Sequence, residues 1–328
     1  MSDTLDLEKQ GSSLDEYSQS DLAFTRDTPL GTLAEPSYSG ALSFMRRQFS
    51  KDLKGADVAV FGIPYDLSVS NRPGARFGPR AIRQASSIMA WDRVWGWPFD
   101  PFDKLKVVDF GDLAFDPGYP SDIPHALSAQ TFGMLSKAKT TLMLGGDHFS
   151  SYPVLKAHAQ KHGPLSLVQF DAHSDTWADD GDGRIDHGTM FYKAIKDGII
   201  NPDTSIQVGI RTNNDEPQGV KTLSARWLRK NGADAASEEI RRRVGDTPVY
   251  ISFDIDCLDP AYAPGTGTPV VGGPTTGEVR DILRGLEGIN LKGMDVVEVS
   301  PSYDHAEITA LAGATIALDL LCIYATRK

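Results

Sequence analysis

The 328-residue chain is 40% hydrophobic, enough for a sizeable core, and carries a net charge of −11. No Lys/Arg cluster offsets that charge, so nucleic-acid binding is excluded and a cationic small molecule is weakly favoured. Two cysteines, Cys257 and Cys322, imply no disulfide framework and suit a reducing compartment. The acidic, polar start is not a secretory signal. No apolar run approaches the roughly 20 residues of a membrane span, so the expected location is the cytoplasm.

Residues 1–40 are rich in Ser, Asp, Thr and Pro without periodicity and read as an arm, flexible or laid on a neighbouring subunit. From about residue 57 strands and helices alternate without a linker, so 41–328 reads as one domain. Val58–Ile63 is the first buried strand. The Gly- and Arg-bearing loop from Pro64 to Pro79 reads as a rigid turn into a helix over Arg80–Met89, or as a ligand loop at a strand end. Trp91, Trp95 and Trp97 read as core or subunit interface. Strands follow at Val107–Gly111, before His148, at Leu165–Gln169, Ile206–Arg211, Val249–Asp254 and Met294–Val299. Helices are expected over Ala126–Lys137, Tyr152–Lys161, Ser237–Val244, Gly277–Leu286 and Ile308–Leu321. The alternation predicts an α/β domain with a parallel sheet covered on both faces. There is no Gly-x-Gly-x-x-Gly after the first strand and no Walker-type motif, so a nucleotide site has no support.

Three of these strands end in side chains suited to divalent cations. Leu144-Gly145-Gly146-Asp147-His148 closes one; Asp171-Ala172-His173-Ser174-Asp175 closes the next; Asp254-Ile255-Asp256 closes a third. The candidate ligands are His148, Asp171, His173, Asp175, Asp254 and Asp256. Four carboxylates and two imidazoles are too many for one catalytic ion that keeps an open position. They suit two ions roughly 3.5–4 Å apart, with carboxylates between them.

At these residues the chain resembles the ureohydrolases, the family of arginase and agmatinase. The resemblance covers about residues 57–322 and rests on LGGDHF around His148, FDAHSDTW from Phe170 and SFDIDCLDPAYAPGTGTP from Ser252. HGTMF at His187 and VVEVSPSYD from Val296 complete it. The nearest likeness in these stretches is to bacterial agmatinases. The resemblance implies a three-layer α/β/α sandwich with about eight parallel strands. It implies a homo-oligomer, trimer or hexamer, with a mixed oligomer with a related chain left open. It also implies a pair of Mn2+ ions, or Ni2+ in some members, and hydrolysis of a linear guanidino compound by a hydroxide held between the ions. Agmatine, cleaved to putrescine and urea, is the expected substrate. Asp171 and Asp254 are expected to bridge, His148 and His173 to cap one ion each, and Asp175 and Asp256 to complete the set. Asp175 is also expected to accept a hydrogen bond from the attacking oxygen, His187 to shuttle a proton, and Glu298 to grip the guanidinium.

The far end of the substrate is less defined. Trp177, Thr268 and Asn214 are the candidate contacts. Bulky Trp177 disfavours an amino-acid head group, and the acids Asp179, Asp180, Asp182, Asp186, Asp215 and Glu216 could attract an ammonium. Arg184 or Arg211 could instead read a carboxylate, which keeps guanidinobutyrate and guanidinopropionate open. The loop over 176–187 is longer than in the agmatinases it resembles, which leaves free guanidine or a biguanide open. Asp147 reads as structural, Asp259 as a turn cap, and His158 and His162 as exposed. A catalytically silent scaffold would have lost ligands, and a zinc deacetylase of related fold would place histidine pairs at one ion.

Overall fold

Among the described residues, short runs of β-branched, aromatic and other apolar residues form eight strands: β1 Val58–Gly62, β2 Val107–Asp112, β3 Thr140–Leu144, β4 Ser166–Phe170, β5 Ile206–Ile210, β6 Lys221–Ser224, β7 Val249–Asp254 and β8 Leu291–Val297. The structure is a computed structural model describing residues 37–327 apart from positions 91, 92, 182 and 185. Most of the expected arm, Trp91 and Asp182 therefore lie outside the described residues. The strands make one parallel sheet in the order β2-β1-β3-β8-β7-β4-β5-β6. Every residue of β1, β3, β4, β5 and β7 is buried, as a sheet covered on both faces requires.

The helices are α1 Gly78–Ser86, α2 Ile123–Leu135, α3 Ser151–His162, α4 Met190–Lys196, α5 Ala225–Val244, α6 Thr276–Arg284 and α7 Ile308–Ala325. Alternate strand residues feed two cores. Val58 and Val60 join α1, α5, α6 and α7 on one face; Ala59 and Phe61 join α2, α3 and α4 on the other. The result is the expected α/β/α sandwich. Local chemistry sets several boundaries. Thr275 and Glu278 form a reciprocal capping box that starts α6, and Ser224 caps α5 by accepting from the Trp227 amide. The helix expected from Ser237 begins at Ala225, and Gly232, at φ 83°, breaks it into two pieces. Edge strand β6 escaped the sequence pattern because only Leu223 of its four residues is buried.

By length and apolarity α7 is a helix that could cross a bilayer, but 78% of it is buried in this fold. Its buried Asp319 accepts from Trp97 Nε1 at 2.8 Å and from Arg280 Nε at 2.7 Å. This also places Trp97 in the core, whereas Trp95 is 84% exposed.

His158 corrects an expectation: it is fully buried, not exposed. Its Nε2 lies 2.8 Å from Thr141 Oγ1, and Gly293 of β8 leaves room for the ring, since a Cβ there would sit 2.5 Å from its Cε1. Burial, reinforced by His162 and Lys161, pushes its pKa from 6.5 down to about 3. The ring is therefore neutral in the fold, while the unfolded chain binds a proton below about pH 6.5. Stability from this site is present above that pH and is lost as pH falls toward 3, by at most about 1.4 kcal/mol per pH unit. Urea midpoints should accordingly drop further between pH 7 and pH 5 for the native chain than for His158→Gln. Equal drops would contradict this placement.

Candidate metal centre

Beyond the carboxyl ends of four neighbouring central strands, β3, β8, β7 and β4, the chain delivers His148, Glu298, Asp254 with Asp256, and Asp171 with His173 and Asp175. Open parallel sheets bind ligands at this edge. Gly146 makes the β3 exit feasible, because a Cβ there would lie 1.8 Å from the Tyr65 carbonyl oxygen. Two residues at the site hold left-handed backbone, Asp175 at φ 51° and Glu298 at φ 63°. Such strain persists only where surrounding contacts impose it.

Five of the six candidate ligands form two triads that share Asp171, His148–Asp171–Asp175 and Asp171–His173–Asp256, and Asp254 stands beside the first. His148 Nδ1 lies 3.1 Å from Asp171 Oδ2, 2.8 Å from Asp175 Oδ2 and 3.1 Å from Asp254 Oδ2. His173 Nδ1 lies 3.4 Å from Asp171 Oδ1 and 3.0 Å from Asp256 Oδ2. Of the two carboxylates expected to bridge, Asp171 spans both groups with one oxygen toward each, while Asp254 stands on the His148 side. The Asp254 Oδ1 atom accepts from the Asp256 amide, and Asp256 Oδ1 accepts from the Ala172 amide.

The tautomer of His148 shows what the cluster lacks. Tyr250 Oη and Ser252 Oγ both donate to Asp295, at 2.8 and 2.7 Å. The Ser252 hydroxyl has then spent its proton, so at 2.9 Å it accepts from His148 Nε2. The proton on Nε2 leaves a lone pair on the buried Nδ1, which has no hydrogen-bond partner. Facing three carboxylate oxygens, Nδ1 calls for positive charge, which a bound cation supplies; without one, and against the burial that opposes it, the same carboxylates hold the His148 pKa well above its ordinary value. The four carboxylates, all at most 5% exposed, carry four negative charges, which two divalent ions would balance. The residues thus fit a binuclear centre. Crowding of like charge without counter-ions shows in the electrostatics: burial and then the Asp171 charge push Asp175 up to about 7, and burial with Asp256 and Asp171 pushes Asp254 well above the carboxylate range. Against the effect of their own burial, both imidazoles are raised by the carboxylates and Asp171 is lowered by the imidazoles.

Next to the triads, His187 Nδ1 is 2.9 Å from Glu298 Oε1, and its Nε2 is 2.9 Å from Ser70 Oγ and 3.0 Å from the Ser70 amide nitrogen. Glu298 Oε1 also accepts from the His148 amide at 3.0 Å, whereas its buried Oε2 has no partner. Burial lowers the His187 pKa, but the Glu298 hydrogen bond and charge, with Asp175 and Asp147, raise it to about 9.

A cavity of about 320 Å³ opens over this centre, lined by Ser70, His173, Asp175, Trp177, Asp186, His187, Gly188, Thr189, Asp254 and Thr268. Trp177 and Thr268 are on its wall, and Thr268 Oγ1 donates to Asp256 Oδ2 at 3.2 Å. Asn214 is placed elsewhere: its amide donates to Ser174 Oγ and Thr176 Oγ1 and braces the loop behind the wall. Arg211 gives its guanidinium to the backbone carbonyls of Gly209, Asp256, Cys257, Leu258 and Val270. Arg184 pairs with Asp179 and Asp186. Asp147 accepts from the Ser68 amide, and Asp259 caps its turn through the amides of Ala261, Gly272 and Gly273. Sequence reasoning missed Ser252, Asp295, Gln169 and Ser70. The signal for the first three was polar residues inside otherwise apolar central strands, where buried polar groups need partners. Gln169 Nε2 indeed donates to Asp171 Oδ2 at 2.7 Å. Nothing in the sequence singled out Ser70.

Fold and centre together define a class of hydrolases that work with paired divalent cations on amidine carbon–nitrogen bonds. The chain belongs to the arginase family, whose model matches residues 56–322. It is 53% identical to the agmatinase of Chromobacterium violaceum over 315 residues, spanning 96% of this chain and 98% of that one. It is 49% identical to the agmatinase of Proteus mirabilis over 88% of this chain and 95% of that one. A crystal structure described as a hypothetical agmatinase from Burkholderia thailandensis superposes with a TM-score of 0.89 at 53% identity, over 93% of this chain and 97% of the other. Proclavaminate amidino hydrolase from Streptomyces clavuligerus superposes at 0.86 with 40% identity, over 90% and 100%.

Proposed function

We propose that this chain hydrolyses agmatine to putrescine and urea. The observation that carries the choice of substrate is the charge on the cavity wall. No Lys or Arg is among the described lining residues, and Asp186 stands there apart from the cation-binding carboxylates. Of the loop acids considered from sequence, Asp179 and Asp180 are off the wall and pair with Arg184 and Lys196, and Asp215 and Glu216 are exposed and off the wall; Asp186 is on the wall, where its Oδ2 also meets Arg184, and is the reader of the distal ammonium. Arg211 and Arg184 are both engaged and supply no carboxylate reader, which argues against guanidino acids.

In this reading His148, Asp171, Asp175 and Asp254 would hold one ion, and Asp171, His173 and Asp256 the other. The oxygen-rich set suits Mn2+, with Ni2+ the alternative. Such a pair, when bound, supplies a water acidified to near neutral pH and Lewis-acid polarisation. The protein residues do the rest. The free Oε2 of Glu298 accepts from the guanidinium and turns its plane toward the centre. Asp175 accepts a hydrogen bond from the attacking oxygen and orients it. Trp177 covers the methylene chain and excludes water. His187 delivers a proton to the departing amine nitrogen, because an amine leaves far more readily than its anion. We place the protein in the cytoplasm, where its two free, buried thiols stay reduced. The chain self-associates as a trimer or hexamer in this reading, and exposed Ile88 and Trp95, at 66% and 84%, are available to such an interface.

Asp186→Asn tests the substrate assignment. Asn keeps an oxygen for the Gly188 amide, which Asp186 Oδ1 now accepts at 2.8 Å, but loses the charge. The KM for agmatine should rise about tenfold, the worth of a charge-assisted hydrogen bond, while kcat stays near native. An unchanged KM would remove Asp186 as the reader.

A further inference from the structure

The loop from Asp66 to Arg76 is tied to the centre from both sides. The Ser68 amide donates to Asp147 Oδ2 at 2.9 Å, beside the candidate ligand His148, and Asn71 Nδ2 donates to the Gly267 carbonyl at 3.0 Å. Between those tethers, Ser70 offers two different groups to one nitrogen of His187. Its amide nitrogen is 3.0 Å from Nε2 and its hydroxyl oxygen 2.9 Å from the same atom. Glu298 accepts only, so Nδ1 carries a proton. The Ser70 amide donates only, so it favours a bare lone pair on Nε2 and the neutral ring. Glu298, with Asp175 and Asp147 nearby, favours the imidazolium. The two influences oppose each other. The hydroxyl alone suits both states, because it can donate to a bare Nε2 and accept from a protonated one.

We propose that the Ser70 hydroxyl is the relay through which His187 Nε2 exchanges its proton with the cavity. The inference rests on the shuttle role given to His187 above. In the step, the Nε2–H bond breaks as Ser70 Oγ takes that proton, and Oγ passes its own proton to the departing amine nitrogen or to water. Proton and charge are conserved, and the ring ends neutral with the amide bond in place. The placement fits: His187 is only 9% exposed, while Ser70 is an exposed residue on the cavity wall. Both residues line the cavity, and Ser70 is the more exposed of the two, set between His187 Nε2 and the open side.

The test is a double-mutant cycle on the manganese-loaded enzyme with agmatine, read as kcat and KM from pH 6 to 10. Ser70→Ala keeps the amide and removes the hydroxyl. It should lower kcat about tenfold or more with KM within twofold, and Ser70→Thr should restore most of the loss. In a His187→Ala background the Ser70→Ala change should add less than twofold. The 15N shift of His187 Nε2 should move in Ser70→Ala while that of Nδ1 stays. If Ser70→Ala matches the native kcat while His187→Ala is impaired, the relay is wrong and the shuttle stands. Equal losses with and without His187 would make Ser70 merely structural and also overturn the relay. If His187→Ala itself turns over normally, the shuttle fails, and the relay with it.

Discussion

Asp171→Asn will cost this protein both its cations and its activity. Asp171 is the one carboxylate whose two oxygens face the two imidazoles, at 3.1 Å from His148 Nδ1 and 3.4 Å from His173 Nδ1. An amide supplies one neutral oxygen and one nitrogen donor, so it cannot serve both triads. Outer-shell partners of metal ligands are already worth about 10- to 100-fold in affinity or activity, so loss of a shared ligand should lower turnover by more than about 100-fold. Metal content after desalting should fall in parallel. The fold should persist, because Asn keeps an oxygen for the His173 amide, which Asp171 Oδ1 accepts at 2.6 Å. Native-like metal content and rate in a folded Asp171→Asn would refute the shared-ligand geometry.

His187→Ala should separate proton transfer from metal binding. Metal content should be native, since His187 touches Ser70 and Glu298 and lies outside both triads. The kcat for agmatine should fall about 10²- to 10⁴-fold, the usual worth of general acid–base catalysis. The pH profile gives the sign. The His187 pKa is raised to about 9, so the imidazolium that delivers the proton is present below that pH and lost above it. The native enzyme should therefore lose rate as pH rises through about 9, and the variant should lack that limb. A variant with the native rate and the same alkaline limb would remove His187 from the reaction.

The chemistry of this site was legible in the sequence to the extent that it sits at strand ends. His148, the Asp171–Asp175 cluster and the Asp254–Asp256 pair each follow a buried apolar run, and a parallel sheet gathers such ends at one edge. Which ends are neighbours was not legible. The crossovers that put β8 between β3 and β7, and so Glu298 beside His148, depend on helix packing across the whole chain. The same limit explains Asn214, which is sequence-adjacent to a strand end yet turned toward Ser174 and Thr176. It also explains His158, whose helical position gives no hint of the space left by Gly293 on β8. Arg211 makes the point for charge. A cation near a site reads as a ligand contact until the carbonyls that consume it are visible. Asp254, equivalent to Asp171 in the sequence pattern, differs only in which imidazole the β7 exit lets it meet.

The most direct test is urea release by the manganese-loaded protein from agmatine and from 4-guanidinobutyrate, compared as kcat/KM. The two share the guanidinium and differ in the charge at the far end, which here meets Asp186 and no free cation among the described wall residues. Agmatine should lead by at least about 100-fold, because the guanidino acid would set its carboxylate against that of Asp186, and like charges placed together cost several kcal/mol. Equal rates, or a preference for the guanidino acid, would contradict it.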